Sequence, residues 1–227
     1  MNATKRRCTL SVVDIGNAEL LHEIMCLLQG QVVSDMDTVF VFGRALGDFE
    51  GDANITGLLD FAVDLYIDCA SSITVPGYNP PARENHTDYP GGHAWRDYLI
   101  NQEVNEGDIF LTSGEMRVQH TRSEGDEFIE CARKEGWRSA LILANPHQIL
   151  RAMLGLVKTL KIFNYHMCLY PAAPPRVAWR KEVYGSKGQR RLRRHEHINE
   201  EWARIQRYQA QGDLASLAEL RDYLLSL

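Results

Sequence analysis

The chain has 227 residues, of which 44% are hydrophobic and 24% charged, a composition typical of one ordinary globular domain. Its 25 basic and 30 acidic residues give a formal net charge of −5, which excludes a protein that coats nucleic acid through its overall charge. No run of residues approaches the ~18–20 consecutive apolar positions of a membrane-spanning helix, so we expect no membrane span.

The N-terminal segment and the cysteines bear on the cellular compartment. A secretory signal needs an unbroken apolar stretch, whereas Asp14 and Glu19 interrupt the first 30 residues. The five cysteines are far apart and form no Cys-x-x-Cys pair, which indicates reduced thiols rather than a disulfide framework or a zinc site. His86, Asp88 and His93 share one loop, but a metal site needs three or four converging ligands, and ordinary loop polarity is the preferred interpretation. We therefore expect a cytoplasmic protein without a bound metal.

The predicted elements begin with an amphipathic helix over residues 18–28, within an N-terminal segment (residues 1–34) that we expect to pack on the core. Between residues 35 and 175, short apolar runs alternate with longer helical patterns. The runs predict strands at residues 37–42, 72–75, 108–112, 139–144 and 165–170. The helical patterns predict helices near residues 54–69, 93–102, 123–135 and 146–159. Because continuous apolar strands between helices form parallel sheets covered on both faces, we predict a doubly wound, mainly parallel five-stranded α/β domain of Rossmann-like type.

The last segment, residues 176–227, differs from this core in composition. Residues 176–207 contain ten Lys or Arg and four Glu, and the basic run 187–194 is typical of a patch that binds RNA, a membrane or an acidic partner. The preferred interpretation is instead a solvated, charge-paired helix face with Arg190, Arg194, Glu200 and Glu201. Amphipathic helices follow to residue 227, with Asp213 as the predicted N-cap after a break.

The loops that leave the carboxyl ends of the strands are the candidate binding loops, because ligands of open α/β sheets bind at that edge. Four arginines lie on these loops, namely Arg44, Arg117, Arg122 and Arg151. Two of the loops lead into helix N-termini, whose free N–H groups and partial positive charge suit an anion. The pattern predicts a small anionic ligand such as a phosphate, a nucleotide or a carboxylate. The alternative for each arginine taken alone is a surface ion pair.

Three common motifs are absent from the sequence. Gly43 and Gly47 form a Gly-x-x-x-Gly after the first strand, which is not the Gly-x-Gly-x-x-Gly fingerprint of dinucleotide binding. Neither a P-loop nor a Gly-x-Ser-x-Gly nucleophile elbow occurs. The sequence motifs therefore indicate neither NAD binding nor ATP hydrolysis of the P-loop kind. His147, at a predicted helix start, is a candidate acid or base near neutral pH, and a polar surface position is an equal alternative.

Several segments taken together resemble a known family. They include the strands T-V-F-V-F-G and S-I-T-V-P-G and the stretch G-W-R-S-A-L-I-L-A-N-P-H-Q-I-L-R-A at residues 136–152. Over residues 35–172 the chain resembles the YdcF/SanA/ElyC family of Rossmann-like domains. The positions that match the family's pattern are Gly43, Gly77, Glu115, Thr121, Pro146 and Arg151. Where the family has Ser, Asn and His, this chain has Val118, His120 and Gln148, so we expect altered pocket chemistry.

The resemblance implies a pocket for a phosphorylated or nucleotide-like small molecule, with S-adenosylmethionine as one candidate. The residues expected to bind it are Gly43, Arg44, Gly47, Gly77, Arg117, Thr121, Arg122, Asn145, Gln148 and Arg151. Glu115, His120 and His147 are expected to supply acid–base chemistry if the ligand is turned over.

Three functions stay open on the sequence alone. The first is binding of this small ligand in the cytoplasm, with catalysis undefined. The second is a non-catalytic interaction protein that uses its basic segment on RNA or an acidic partner, although we do not favour nucleic acid. The third is a phosphoryl or glycosyl transferase or hydrolase that uses Glu115 and His147. Because one fold hosts many chemistries, the resemblance does not choose among them, and it predicts no oligomeric state.

Overall fold

The computed structural model describes residues 15–28, 33–43, 57–79, 90–114, 121–174, 177–184 and 191–227. Its centre is a five-stranded, all-parallel sheet, in which the strands, numbered in chain order, lie side by side as β3-β2-β1-β4-β5. The strands of this sheet are β1 (Thr38–Val41), β2 (Ile73–Val75), β3 (Ile109–Leu111), β4 (Ser139–Leu143) and β5 (Cys168–Ala172). A separate hairpin contains β6 (Glu182–Tyr184) and β7 (Arg191–Arg193). The helices are α1 (Ile15–Leu27), α2 (Leu58–Cys69), α3 (Gly92–Asn101), α4 (Thr121–Glu135), α5 (Ile149–Phe163), α6 (His197–Ala210) and α7 (Leu217–Leu225). This architecture confirms the predicted doubly wound α/β fold.

Helices cover both faces of the sheet, and the sheet divides the core into two layers. Successive side chains of a strand point to opposite faces. Val39 of β1 therefore belongs to the layer that contains Leu58 of α2, whereas Phe40 belongs to the layer that contains α4 and α5. In that second layer the ring of Phe128 stacks on Phe40, with the ring centroids 4.2 Å apart. Both faces are apolar, which explains why the strands are continuous apolar runs in the sequence.

The ends of α5 and β5 differ from the predicted ones. α5 begins at Ile149 and not at Pro146, because residues 146–148 form a turn in which the Gln148 N–H donates to the Asn145 carbonyl at 2.8 Å. Asn164 ends the helix in the left-handed conformation, with φ 47° and ψ 48°. The next three residues lead to the sheet, so β5 begins at Cys168 rather than at residue 165.

The C-terminal helices share the core of the α/β sheet. Ile205 of α6 and Leu220 of α7 are buried in the same layer as Phe40. The predicted N-cap at Asp213 is wrong, because α7 begins after Ser216. The Ser216 hydroxyl accepts the Glu219 N–H at 3.1 Å, and the Glu219 carboxylate accepts the Ser216 N–H at 2.6 Å, which forms a capping box.

The basic segment contains the β6–β7 antiparallel hairpin, and part of it is buried. Arg194 is 2% exposed and donates to the Ala178 carbonyl at 3.1 Å, and Glu201 is also 2% exposed. The predicted solvated face is therefore wrong at Arg194 and Glu201, which are buried, although Glu201 is charge-paired with Arg151 and Arg204. Arg190 lies outside the described residues. No helix in the described part of the chain has both the length and the apolar character needed to cross a membrane.

Candidate functional site

The strand order reverses between β1 and β4, because the chain proceeds from β1 to one side of the sheet and from β4 to the other. Val41 and Leu143 are parallel partners, and the N–H of Phe42 donates to the Leu143 carbonyl at 3.0 Å. Gly43 and Asn145 therefore leave the sheet side by side. Ligands of open α/β sheets bind in the crevice at such a reversal. We call the region of Gly43, Glu124, Asn145 and Gln148 the switch-point crevice.

A buried carboxylate holds the backbone at the end of β1. Glu124 lies in the first turn of α4, is 8% exposed, and accepts the Gly43 N–H through Oε2 at 3.0 Å. On the β4 side of the crevice, Asn145 and Gln148 are also buried. A carboxylate accepts hydrogen bonds and donates none. Glu124 therefore serves as the acceptor that holds the end of β1 against the first turn of α4.

A second buried carboxylate, Glu127, holds the ends of β2 and β3 together. Its Oε2 accepts the Thr112 hydroxyl at 2.7 Å and the Gly114 N–H at 3.3 Å. The Thr112 hydroxyl oxygen in turn accepts the Gly77 N–H at 3.0 Å. Glu124 and Glu127 are three residues apart on α4, so one helix supplies the acceptors at the ends of β1 and β3, and Thr112 connects the end of β2 to them.

Glycine is required where the loops after β2 and β3 touch. A Cβ on Gly77 would lie 1.9 Å from the Thr112 carbonyl oxygen. Gly114 has φ +64°, and a Cβ there would lie 2.6 Å from the Gly77 carbonyl. Close backbone contact at this edge therefore fixes the position of the Gly77 loop.

Arg151, in the first turn of α5, forms a buried ion pair with the C-terminal segment. Its Nε lies 2.5 Å from Glu201 Oε2 and its Nη2 lies 3.3 Å from Glu201 Oε1. Its Nη1 also donates to the Thr121 hydroxyl, and Arg204 pairs with the same Glu201 carboxylate. The arginine predicted to bind an anionic ligand is thus already bound to a carboxylate of α6.

Two histidines lie four residues before the members of this ion pair, His147 before Arg151 and His197 before Glu201. His147 follows β4, and its ring stacks on that of His197 of α6, with centroids 5.8 Å apart and planes at 26°. His197 is 1% exposed, and its Nδ1 lies 3.1 Å from Glu200 Oε2. The C-terminal segment therefore contributes directly to the carboxyl edge of the sheet.

Most of the predicted site residues that the structure describes lie at the carboxyl edge of the sheet. Those at the edge are Gly43, Gly77, Thr121, Asn145, His147, Gln148 and Arg151. Arg122 instead pairs with Asp126, with Nε 2.8 Å from Oδ1, and donates to the Asp213 carbonyl at 3.0 Å. Arg122 thus connects α4 to the loop between α6 and α7.

The remaining predicted site residues lie outside the described residues, and they are Arg44, Gly47, Glu115, Arg117 and His120. Within the described ranges, no group of three or more His, Cys, Asp or Glu side chains could hold a metal ion.

The sequence interpretation missed the buried carboxylates Glu124, Glu127 and Glu201. One signal for the first two was present in the sequence, because Glu124, Glu127 and Phe128 recur at helical spacing on one face of α4. An acidic residue on an apolar face must find a specific partner when the helix packs.

Neither the protein-family models nor the curated proteins contain a match to this chain.

Proposed function

We propose that the protein binds a nucleotide-like small molecule in the switch-point crevice, with S-adenosylmethionine as the first candidate. The observation that carries the proposal is the buried Glu124 carboxylate on the Gly43 N–H, at the point where the strand order reverses. Buried carboxylates that are aimed at strand ends suit the recognition of ligand hydroxyl and amino groups. The resemblance to the YdcF/SanA/ElyC family, itself a proposal, implies the same class of ligand.

Hydrogen-bond donors of the ligand fit this crevice better than phosphate oxygens do. The N–H groups of Gly43 and Gly114 donate to carboxylates and would otherwise suit a phosphate. Arg151 and Arg122 are both paired with carboxylates. The ribose hydroxyls and the α-ammonium group of S-adenosylmethionine are donors that a carboxylate accepts. A phosphorylated ligand is the weaker form of this proposal, since it would compete with these acidic side chains.

Isothermal titration with S-adenosylmethionine tests the proposal through Glu124→Gln. The amide oxygen of Gln can still accept the Gly43 N–H, so the fold is expected to persist while the charge is lost. A hydrogen bond to a charged group contributes ~1.5–3 kcal/mol, so the affinity is expected to fall by about 10- to 100-fold. The matched control is Glu130→Gln, which changes an exposed carboxylate on the same helix and is expected to leave binding unchanged.

Two results would reject this assignment. One is the absence of S-adenosylmethionine binding by the folded wild-type chain. The other is equal affinity in the Glu124→Gln and Glu130→Gln variants, which would mean that any binding occurs outside the crevice. Circular dichroism of each variant establishes that it is folded.

A second candidate function is binding of single-stranded RNA by the β6–β7 hairpin region. Trp179 is 39% exposed, and Arg180 and Arg193 are exposed on the same segment. Aromatic rings that stack on bases, together with cations that contact phosphates, are typical of such binding. The test is RNA affinity as a function of salt for the wild type and Trp179→Ala. Steep salt dependence and a weaker variant would support RNA binding, whereas no measurable binding would reject it.

A further inference from the structure

A cavity of about 730 Å³ lies at the amino edge of the sheet, at the end opposite the switch-point crevice. The C-terminal end of α5, the residues that lead into β5, and α7 form most of its walls. Small-molecule pockets of proteins have volumes of about 300–1,000 Å³, and this cavity falls within that range. The proposed function does not use it. Its main lining residues are Arg138, Leu160, Tyr165, Met167, Tyr223 and Leu227.

The greater part of the wall is apolar and held in place by hydrogen bonds to the backbone. Met167 is buried. The Tyr223 hydroxyl accepts the Leu169 N–H at 2.7 Å and donates to the Met167 carbonyl at 2.7 Å. The Tyr165 hydroxyl donates to the Trp137 carbonyl. Because both hydroxyls are engaged with the backbone, the two rings contribute mainly apolar carbon atoms to the cavity.

The two carboxylates that line the cavity are already paired with cations. Glu219 Oε1 lies 2.6 Å from Lys161 Nζ, which also lines the cavity. Asp222 Oδ1 lies 2.7 Å from Arg221 Nη2. These two pairs balance each other's charges at the rim.

Arg138 is left as the cation of the rim without a carboxylate partner. It is exposed directly before β4, and its guanidinium carbon lies 5.8 Å from the centroid of the Tyr165 ring. None of the ion pairs within the described part of the chain includes Arg138. The cavity therefore combines an apolar wall with one unpaired guanidinium at its rim.

We propose that this cavity binds a small monocarboxylate with an apolar body, of the class of free medium-chain fatty acids. The carboxylate would pair with the Arg138 guanidinium, whose planar N–H groups match a carboxylate, while the chain packs against Leu160, Met167 and the tyrosine rings. A ligand of higher negative charge fits less well, because Glu219 and Asp222 share the rim. This site is separate from the switch-point crevice, so the inference does not rest on the proposed function.

Isothermal titration of the full chain with hexanoate, octanoate and decanoate tests the site. We expect saturable binding at one site, with an affinity that rises about fourfold for each added methylene, because each methylene moves from water into the cavity. The uncharged 1-octanol is expected to bind about fivefold more weakly than octanoate, because it cannot pair with Arg138.

Arg138→Gln tests the role of the guanidinium. The change leaves the backbone N–H that Asp37 accepts, so the fold is expected to persist. Because Arg138 is exposed and water screens its charge, we expect the affinity for octanoate to fall about fivefold. The matched control is Arg133→Gln, which removes another exposed arginine that lies over a ring, 5.7 Å from the centroid of Phe163, but does not line the cavity.

His166 is the other exposed basic side chain of the rim, and His166→Gln is expected to weaken octanoate binding less than Arg138→Gln does. An equal or larger loss in His166→Gln would overturn the assignment of the carboxylate to Arg138. So would equal affinities in the Arg138→Gln and Arg133→Gln variants.

The apolar wall has its own pair of variants, which decides the matter if Arg138→Gln does not fold. Leu227→Ala shortens a side chain that lines the cavity, and we expect about three- to fivefold weaker octanoate binding. Leu225→Ala changes a leucine of the same helix that is 60% exposed, and we expect no change. Equal affinities in these two variants would place any binding outside the cavity.

Two results with the wild type would overturn the proposal outright. One is the absence of saturable binding of all three fatty acids by the folded chain. The other is binding of 1-octanol as tight as that of octanoate. Binding of S-adenosylmethionine is measured separately, so failure of the proposed function and failure of this site are distinguishable.

Discussion

The two edges of the parallel sheet both use carboxylates to hold backbone N–H groups, but the carboxylates come from different places. At the amino edge, Asp37 directly precedes β1, and its Oδ2 accepts the N–H groups of Arg138 and Ser139 at 2.7 and 2.9 Å. At the carboxyl edge, the acceptors of Gly43 and Gly114 are Glu124 and Glu127, which α4 supplies.

The contacts at the amino edge are structural, whereas those at the carboxyl edge belong to the candidate binding site. The short side chain of Asp37 joins the starts of neighbouring strands β1 and β4, which keeps their register. The longer side chains of Glu124 and Glu127 instead reach from a helix to loops that diverge from the sheet. Ligands of open α/β sheets bind at the carboxyl edge, where such loops leave the strands.

The largest expected loss of stability comes from Glu201→Ala at the carboxyl edge. This change leaves the buried Arg151 guanidinium without its carboxylate. Removal of one partner of a buried ion pair costs about 3–5 kcal/mol. Urea denaturation measures the loss. The control is Lys161→Ala, which breaks the exposed pair with Glu219 and is expected to cost less than about 1 kcal/mol. Similar losses in the two variants would contradict the structural importance of the buried pair.

A smaller loss is expected from Asp37→Ala at the amino edge. The change removes the acceptor of two N–H groups and of the Ser139 hydroxyl, which donates at 3.0 Å. Loss of the acceptor for partly buried donors costs about 1–3 kcal/mol. Binding of S-adenosylmethionine should not change, because this edge is not part of the crevice. Asp97→Ala, which changes an exposed residue of α3, is the control, and weaker ligand binding in Asp37→Ala alone would contradict the separation of the two edges.

The next effect concerns the cap of α7, which connects the C-terminal segment to the core. Ser216→Ala removes the hydroxyl that accepts the Glu219 N–H. Loss of an N-cap side chain costs about 1 kcal/mol. Thermal unfolding of the variant should show this loss, and an unchanged unfolding temperature would mean that the cap does not stabilise the helix.

The smallest effect is the acid dependence of the exposed Lys161–Glu219 pair. The hydrogen bond from Lys161, together with the N–H of Ser216, lowers the pKa of Glu219 from 4.5 to about 2. Because the folded pKa is lowered, the stabilisation is present above pH 4.5 and is lost as the pH falls toward 2. Urea denaturation across this window should show that the difference between wild type and Glu219→Gln decreases with falling pH. A constant difference would contradict the lowered pKa.

The fold could be predicted because the apolar runs report burial on both faces of the sheet. Val39 and Phe40 point to opposite layers, and both are fully buried. The continuous apolar run that contains them therefore predicts a central parallel strand. The N-cap Ser216 was not predicted, because Asp213 is an equally good N-cap by residue type. The position at which the helix begins decides between the two residues.

The candidate site could be predicted only in part. Position after a strand predicted Gly43, Asn145 and Arg151 at the carboxyl edge, because topology alone brings strand ends together. The pairing of Arg151 with Glu201 depends on how α6 packs fifty residues later, and no local pattern encodes that contact. The same holds for the contact between His147 and His197.

We propose that the nucleotide-like ligand binds at the carboxyl edge of the sheet and not at the amino edge. The most direct test is a ¹H–¹⁵N correlation spectrum of the labelled full chain during titration with S-adenosylmethionine. We expect saturable shifts of the Gly43, Gly114 and Asn145 signals, with the N–H signals of Arg138 and Ser139 unchanged. Shifts at Arg138 and Ser139 without shifts at Gly43 and Asn145, or no shifts at all, would contradict it.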